Sequence, residues 1–167
     1  HIAHKSELGG VSVGVPVEDV GARGQAMLEA VAAATDAPVE GLLVQEMISG
    51  GVEMILGFHR DPQLGPAILL GAGGVATELF NDTALRLLPL TRSDAREMLR
   101  SLKTWPLLDG YRGRARADVA ALEDAILAFA AMAEQLDEAL LEAEINPLFV
   151  LPEGQGVKAA DAVVILR

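Results

Sequence analysis

The 167-residue chain has no cysteine. That excludes a disulfide framework, a thiolate zinc site and a cysteine nucleophile, and it suits a reducing compartment, with the cytoplasm as the default expectation. Aromatic residues are scarce, at 4% against 51% hydrophobic residues, so a core has to be filled by Ala, Val, Leu and Ile rather than by rings. Such a composition is globular and not disordered, and the length suits one compact domain or a large part of a bigger one. Positive charge is in deficit too: 13 Lys+Arg against 24 Asp+Glu give a formal net charge of −11. A surface this acidic repels phosphate backbones and anionic lipid, and no Lys/Arg cluster interleaved with aromatics occurs, which argues against a nucleic-acid partner. The longest uncharged stretch, Pro62 to Thr77, is 16 residues broken by proline and glycine, short of the ~20 apolar residues of a membrane helix. No basic-then-apolar leader opens the chain. It begins on His1 rather than Met, from which a segment of a longer protein is expected.

Apolar spacing divides the chain into a glycine-punctuated, strand-rich first half and a second half with two helical blocks and a final hairpin. Val11, Val13 and Val15 alternate as a strand does; Val17, Val20, Gly24, Met27 and Val31 then step by three and four, predicting a helix that stops before Pro38. Leu42 to Met47 and Val52 to Phe58 read as a hairpin joined at Ser49-Gly50-Gly51. Ala67 to Leu70 reads as a buried strand emptying into Gly71, Gly73 and Gly74, and Val75 to Phe80, a turn at Asn81-Asp82 and Leu85 to Leu90 continue the strand pattern. Thr91 with Asp94 marks the start of a helix over Ala95 to Leu102. After Asp118 the apolar residues Val119, Leu122, Ile126, Phe129, Ala133 and Leu136 define a second helix, with Glu123, Asp124 and Glu134 expected outside. Leu140 to Val150 and Val157 to Leu166 finish as paired strands, and the sum is an α/β or α+β domain.

Glu142-Ala143-Glu144-Ile145-Asn146-Pro147-Leu148 is the most informative segment. On a strand, Glu142, Glu144 and Asn146 project from one face while Leu141, Ala143 and Ile145 enter the core. A solvated face accounts for such a pattern; so does a site for Mg²⁺, which takes carboxylate oxygens and lets phosphate complete its shell. A two-residue turn at Glu153-Gly154 would set Asp161 directly opposite Asn146, whereas a one-residue slip, which Gly156 permits, would turn Asp161 to the other side. At the chain's start, His4 and Lys5 lead through Gly9-Gly10 towards a strand; glycine amides cradle phosphate, lysine neutralises it and histidine is a nucleophile towards phosphorus, though a frayed terminus explains the same residues. Gly71-Ala72-Gly73-Gly74-Val75-Ala76 fits the dinucleotide fingerprint but lacks the helix that fingerprint must open, so a glycine-rich turn is the better reading. Asp109-Gly110-Tyr111-Arg112-Gly113 offers an arginine fork for phosphate or carboxylate, or a plain surface turn.

Taken together, His4-Lys5 with Gly9-Gly10-Val11, Val44-Gln45-Glu46-Met47-Ile48, Glu53-Met54-Ile55-Leu56-Gly57, Arg60-Asp61-Pro62, Gly65-Pro66, Gly71-Ala72-Gly73-Gly74, Gly110-Tyr111-Arg112-Gly113 and Glu144-Ile145-Asn146-Pro147-Leu148 run in one order along the chain. In that order they resemble the ATP-grasp domain of the NDP-forming (ADP-forming) acyl-CoA synthetases, and more distantly the β subunit of succinyl-CoA synthetase. The resemblance implies an ATP-grasp fold, mostly its C-terminal subdomain, with a mixed or antiparallel sheet and flanking helices, the chain lacking the domain's N-terminal portion and its nucleotide-binding lysine. It implies that Gln45, Glu46 and Ile48 form the hinge that receives adenine, that Glu53 holds ribose hydroxyls, and that Glu144, Asn146 and Asp161 are magnesium ligands. It further implies ATP or ADP as nucleotide, CoA as a substrate of the complete enzyme, and CoA-binding and ligase domains on the same or a partner chain. Phosphate would pass through a phosphohistidine, with His4 as the histidine on this side of the relay, assisted by Lys5. A non-catalytic sensing or assembly module fused to an acetyltransferase is the alternative, and an NAD-binding domain, resting on Gly71 to Ala76 alone, the third.

Overall fold

A computed structural model describes residues 9–35, 38–74 and 82–167. The chain divides into two units, one reaching to Ile48 and one from Ser49 onward.

In the first unit, a 3₁₀ turn at Val17–Asp19 leads into α1, Val20–Ala34. Of the expected stripe, Val20, Gly24 and Met27 are half-buried and Val31 buried, whereas Val17 lies in the 3₁₀ turn and is exposed. It packs against the segment that follows, since a Cβ on Gly24 would stand 2.9 Å from Leu42 Cδ1. Thr35 caps the helix in an extended conformation, ahead of Pro38. Val11 to Val15 and Leu42 to Met47, expected as strands, are corrected: neither carries a sheet ladder among the described residues. Gly14, at a φ of 66°, interrupts the first run, and Pro16 has no N–H to donate.

The second unit is a six-stranded sheet in the order β3-β2-β1-β4-β5, with β6 also on β4; every ladder is antiparallel. The strands are β1 Val52–Asp61, β2 Gly65–Ala72, β3 Thr83–Leu87, β4 Leu140–Val150, β5 Val157–Ala159 and β6 Ala162–Leu166. The hairpin partner of β1 is therefore β2 and not Leu42 to Met47, because β2 and β4 take both of its edges. Asp61 makes that hairpin: its Oδ1 accepts from the backbone N–H of Gln63 and of Leu64, both at 2.8 Å, before Gly65 turns at a φ of 93°. β3 stops at Leu87, short of the expected Leu90, as Pro89 cannot donate to a ladder.

The helices α2 (Arg92–Ser101), the single turn α3 (Trp105–Leu108) and α4 (Val119–Leu136) supply the other layer. Thr91 and Asp94 form the capping box that starts α2, each accepting from the other's backbone. The core joins Met54 and Leu56 of β1, Ile68 and Leu70 of β2 and Leu148 and Val150 of β4 to Met98, Leu99, Leu122 and Ile126 of the helices. Each such side chain contributes roughly 1.5–3 kcal/mol on leaving water. Two expectations are corrected here. Glu123 does not face outward: it is buried at the α2–α4 seam, where Arg96 Nε donates to it at 2.8 Å and Arg92 at 3.2 Å. Leu141 is exposed, because the β4–β6 register shifts between Leu140 and Glu142 and makes Leu141 the extra residue of a bulge.

Candidate functional site

Glu53 of β1 and Glu144 of β4 lie on the sheet face opposite the helices. Glu53 alternates with fully buried Met54, while Glu144 lies beside Gly57 of β1. Along β4 the alternation changes parity: Met54 pairs with Leu148 but Leu56 with Ile145, so Asn146 and Pro147 together oppose one residue of β1. Such a bulge kinks the strand and re-aims its side chains. Asn146 Nδ2 donates to Glu144 Oε1 at 3.1 Å.

On the far edge of β4 the register is the one set by a two-residue turn at Glu153-Gly154. Ile145 pairs with Ala162 and Leu148 with Ala159 on either side, and the Asn146 N–H donates to the Asp161 carbonyl at 3.0 Å. No slip occurs at Gly156, and Asp118 braces the turn. Its carboxylate caps α4 by accepting from Ala121 N at 3.1 Å and also accepts from Gly154 N at 3.0 Å and Gly156 N at 2.9 Å. The Gly156 and Ala121 bonds hold the Asp118 carboxyl below its usual range, against the desolvation that would raise it. One side chain thus ties the helix start to the turn that places Asp161.

Glu144 and Asn146 of β4 are therefore neighbours of Asp161, which lies in the link that splits the expected strand Val157 to Leu166 into β5 and β6, with its Oδ1 accepting from Ala162 N at 3.0 Å. Among the described residues no group of three or more His, Asp or Glu is placed to hold a metal. What the strands offer is two carboxylates and an amide, an oxygen set that fits Mg²⁺ where phosphate and water complete the shell. Gln45 and Glu46 are exposed and Ile48 half-buried on a segment of the first unit without a ladder, in which Met47 Sδ accepts from Gly14 N at 3.4 Å. His4, Lys5, Val75 to Phe80 and Asn81 lie outside the described residues.

Sequence reasoning missed two features. Gly71-Ala72 end β2, and the Gly73 N–H donates to the Glu53 carbonyl at 2.7 Å. Asp82, expected only as a turn residue, is 4% exposed and anchors the end of α2. It accepts from Lys103 N and Thr104 N at 2.8 Å and from Thr104 Oγ1 at 2.6 Å. Burial pushes its pKa up, but those bonds outweigh burial and leave it lowered. A lone Asp beside a strand carries no signal of that role. The Tyr111–Arg112 loop is held from within: Arg112, at a φ of 52°, stacks on Tyr111 at 5.2 Å, and Arg116 pairs with Asp109 at 2.7 Å.

The second unit is thus an antiparallel sheet with helices on one face and oxygen-bearing side chains on the other. The chain belongs to the ATP-grasp domain family, which it matches over residues 1–166. It is 36% identical over 167 residues to the β subunit of an ADP-forming acetate–CoA ligase I of Pyrococcus furiosus, covering 99% of this chain and 71% of that protein. The β subunit of the ADP-forming ligase II of the same organism is 38% identical over 132 residues, covering 79% of this chain and 56% of that one. The chain thus spans a little over half to about seven tenths of these relatives' length. Among solved structures, the dinucleotide-forming acetyl-coenzyme A synthetase 1 of Ca. Korarchaeum cryptofilum, with coenzyme A and Mg-AMPPCP bound, superposes with a TM-score of 0.84 at 37% identity, over 100% of this chain and 72% of that one. Among the described residues no helix is long and apolar enough to cross a membrane.

Proposed function

We propose that this chain is the larger part of the nucleotide-binding domain of an NDP-forming acyl-CoA synthetase, coupling acyl-CoA, ADP and phosphate to acid, CoA and ATP, reversibly. The observation that carries the reading is the set of Glu144 and Asn146 on β4 with Asp161 in the β5–β6 link opposite them, in an ATP-grasp chain. Relatives that are ADP-forming acetate–CoA ligases, and one solved with coenzyme A and a magnesium nucleotide analogue, support the substrate class. Magnesium held by Glu144, Asn146 and Asp161 supplies charge neutralisation at the phosphates, which reconciles a −11 chain with an anionic ligand.

Gln45, Glu46 and Ile48 receive the adenine edge, the last two through backbone groups, and Glu53 accepts from the ribose hydroxyls. His4 takes the γ-phosphoryl group: its neutral imidazole nitrogen forms the N–P bond as the bridging P–O bond breaks, and ADP leaves with that oxygen. Lys5 and the Gly9-Gly10 amides steady the transferred charge, since this chemistry depends on positioning and cations. The phosphohistidine then passes its group to CoA-binding and ligase domains on the same or a partner chain.

The test uses the full-length parent protein. Calorimetric titration with Mg-ATP and Mg-ADP should give binding, and Asp161→Asn should weaken it about tenfold to a hundredfold with the fold intact. γ-labelled ATP should leave acid-labile, base-stable label on the parent and none on His4→Ala, which should also abolish ATP formation from acyl-CoA while sparing nucleotide binding. Absence of heat with either nucleotide would overturn the reading; binding without label would make the chain a sensor.

A further inference from the structure

We propose that the Gly73–Gly74 corner is a positioning element for Glu53, fixing its backbone and leaving open the volume its carboxylate needs to meet the ribose. This rests on the reading of Glu53 as the sugar-binding residue.

The β1–β2 ladder pairs Met54 with Ala72, and the Gly73 N–H extends it by one bond to the Glu53 carbonyl at 2.7 Å. A Cβ on Gly73 would stand 2.7 Å from the Glu53 carbonyl carbon and 2.9 Å from its Cβ, closer than real side chains approach. Gly73 is not in the left-handed region, so contact with Glu53 rather than backbone conformation demands glycine there. Gly74 is left-handed at 79°, and a Cβ on it would lie 3.1 Å from Glu53 Oε2. The carboxylate thus rests over Gly74 in space that any side chain would contest. The corner also has a fixed root: Ala72 N donates to the Asp82 carbonyl at 3.1 Å, and Asp82 is itself held by Lys103 and Thr104. A glutamate on a strand's open face has several rotamers. Gly74 leaves one of them, with the carboxylate over the corner, free of a steric competitor.

The experiment compares ATP with 2′-deoxy-ATP in calorimetric titrations of the full-length parent, with Gly74 variants as the probe. The parent should favour ATP, and Glu53→Ala should lose about tenfold to a hundredfold in ATP affinity and abolish the preference. Gly74→Ala should cut ATP affinity about fivefold or more and pull the preference towards one, with 2′-deoxy-ATP barely changed. Gly74→Asn, which tolerates the left-handed backbone, should do the same and separates displacement of Glu53 from strain. In a Glu53→Ala background neither Gly74 variant should reduce ATP affinity further. Equal losses for both nucleotides, or a preference that survives at Gly74 while Glu53→Ala removes it, would overturn the positioning role alone. A preference that survives Glu53→Ala would instead overturn the sugar-binding reading beneath it.

Discussion

The helices α1 and α4 are written in the same apolar alphabet, yet they end differently. Across its fifteen residues α1 fully buries only Val31, whereas α4 buries Leu122, Glu123, Ile126, Phe129, Ala130 and Ala133. The same contrast runs through the apolar runs expected as strands: Leu43, in the unladdered one, is 83% exposed, while Leu56 of β1 is 0% exposed. An apolar stripe selects which face a helix turns inward, but burial needs a second surface, and in the second unit a six-stranded sheet provides it. The consequence reaches the site. Glu53, Glu144, Asn146 and Asp161 are borne by laddered strands or the link between them, whereas Gln45, Glu46 and Ile48 sit on an unladdered segment.

The largest effect that tests this contrast is a cavity in the second unit. Leu56→Ala should cost about 2–5 kcal/mol in denaturant unfolding; a loss below 1 kcal/mol would mean that the sheet and helices are not one cooperative core. Next comes Asp82, which joins the start of β3 to the end of α2. Asp82→Asn should cost about 1.5–3 kcal/mol at neutral pH, through bonds to a charged group. Because its folded pKa is depressed, the stabilisation is present above the unfolded carboxylate value of ~3.9 and lost as pH falls through the lower folded value. Urea midpoints taken between pH 7 and pH 3 should therefore fall less steeply in Asp82→Asn than in the parent. The smallest effect belongs to the first unit, where Val31→Ala should cost at most about 1.5 kcal/mol. A cost matching that of Leu56 would erase the distinction between the two units.

The sequence by itself determined what is local or periodic. The stripe of α1, the capping box of Thr91 and Asp94, the second helix after Asp118 and the placing of Asp161 opposite Asn146 each follow from spacing or from a short turn, which transmits register along an antiparallel pair. Strand partners were decided by tertiary structure: β1 had its edges taken by β2 and β4, leaving Leu42 to Met47 outside the sheet. So were the two bulges of β4, which exposed Leu141 and shifted the face at Asn146, because the extra residue is defined only against a neighbouring strand. Glu123 reads as a solvent residue until α2 brings Arg92 and Arg96 to it, and Gly73 reads as a turn until the Glu53 backbone lies 2.7 Å from where its side chain would be. A chain carries its own periods and turns, but which distant surface meets each face is settled only when the core closes.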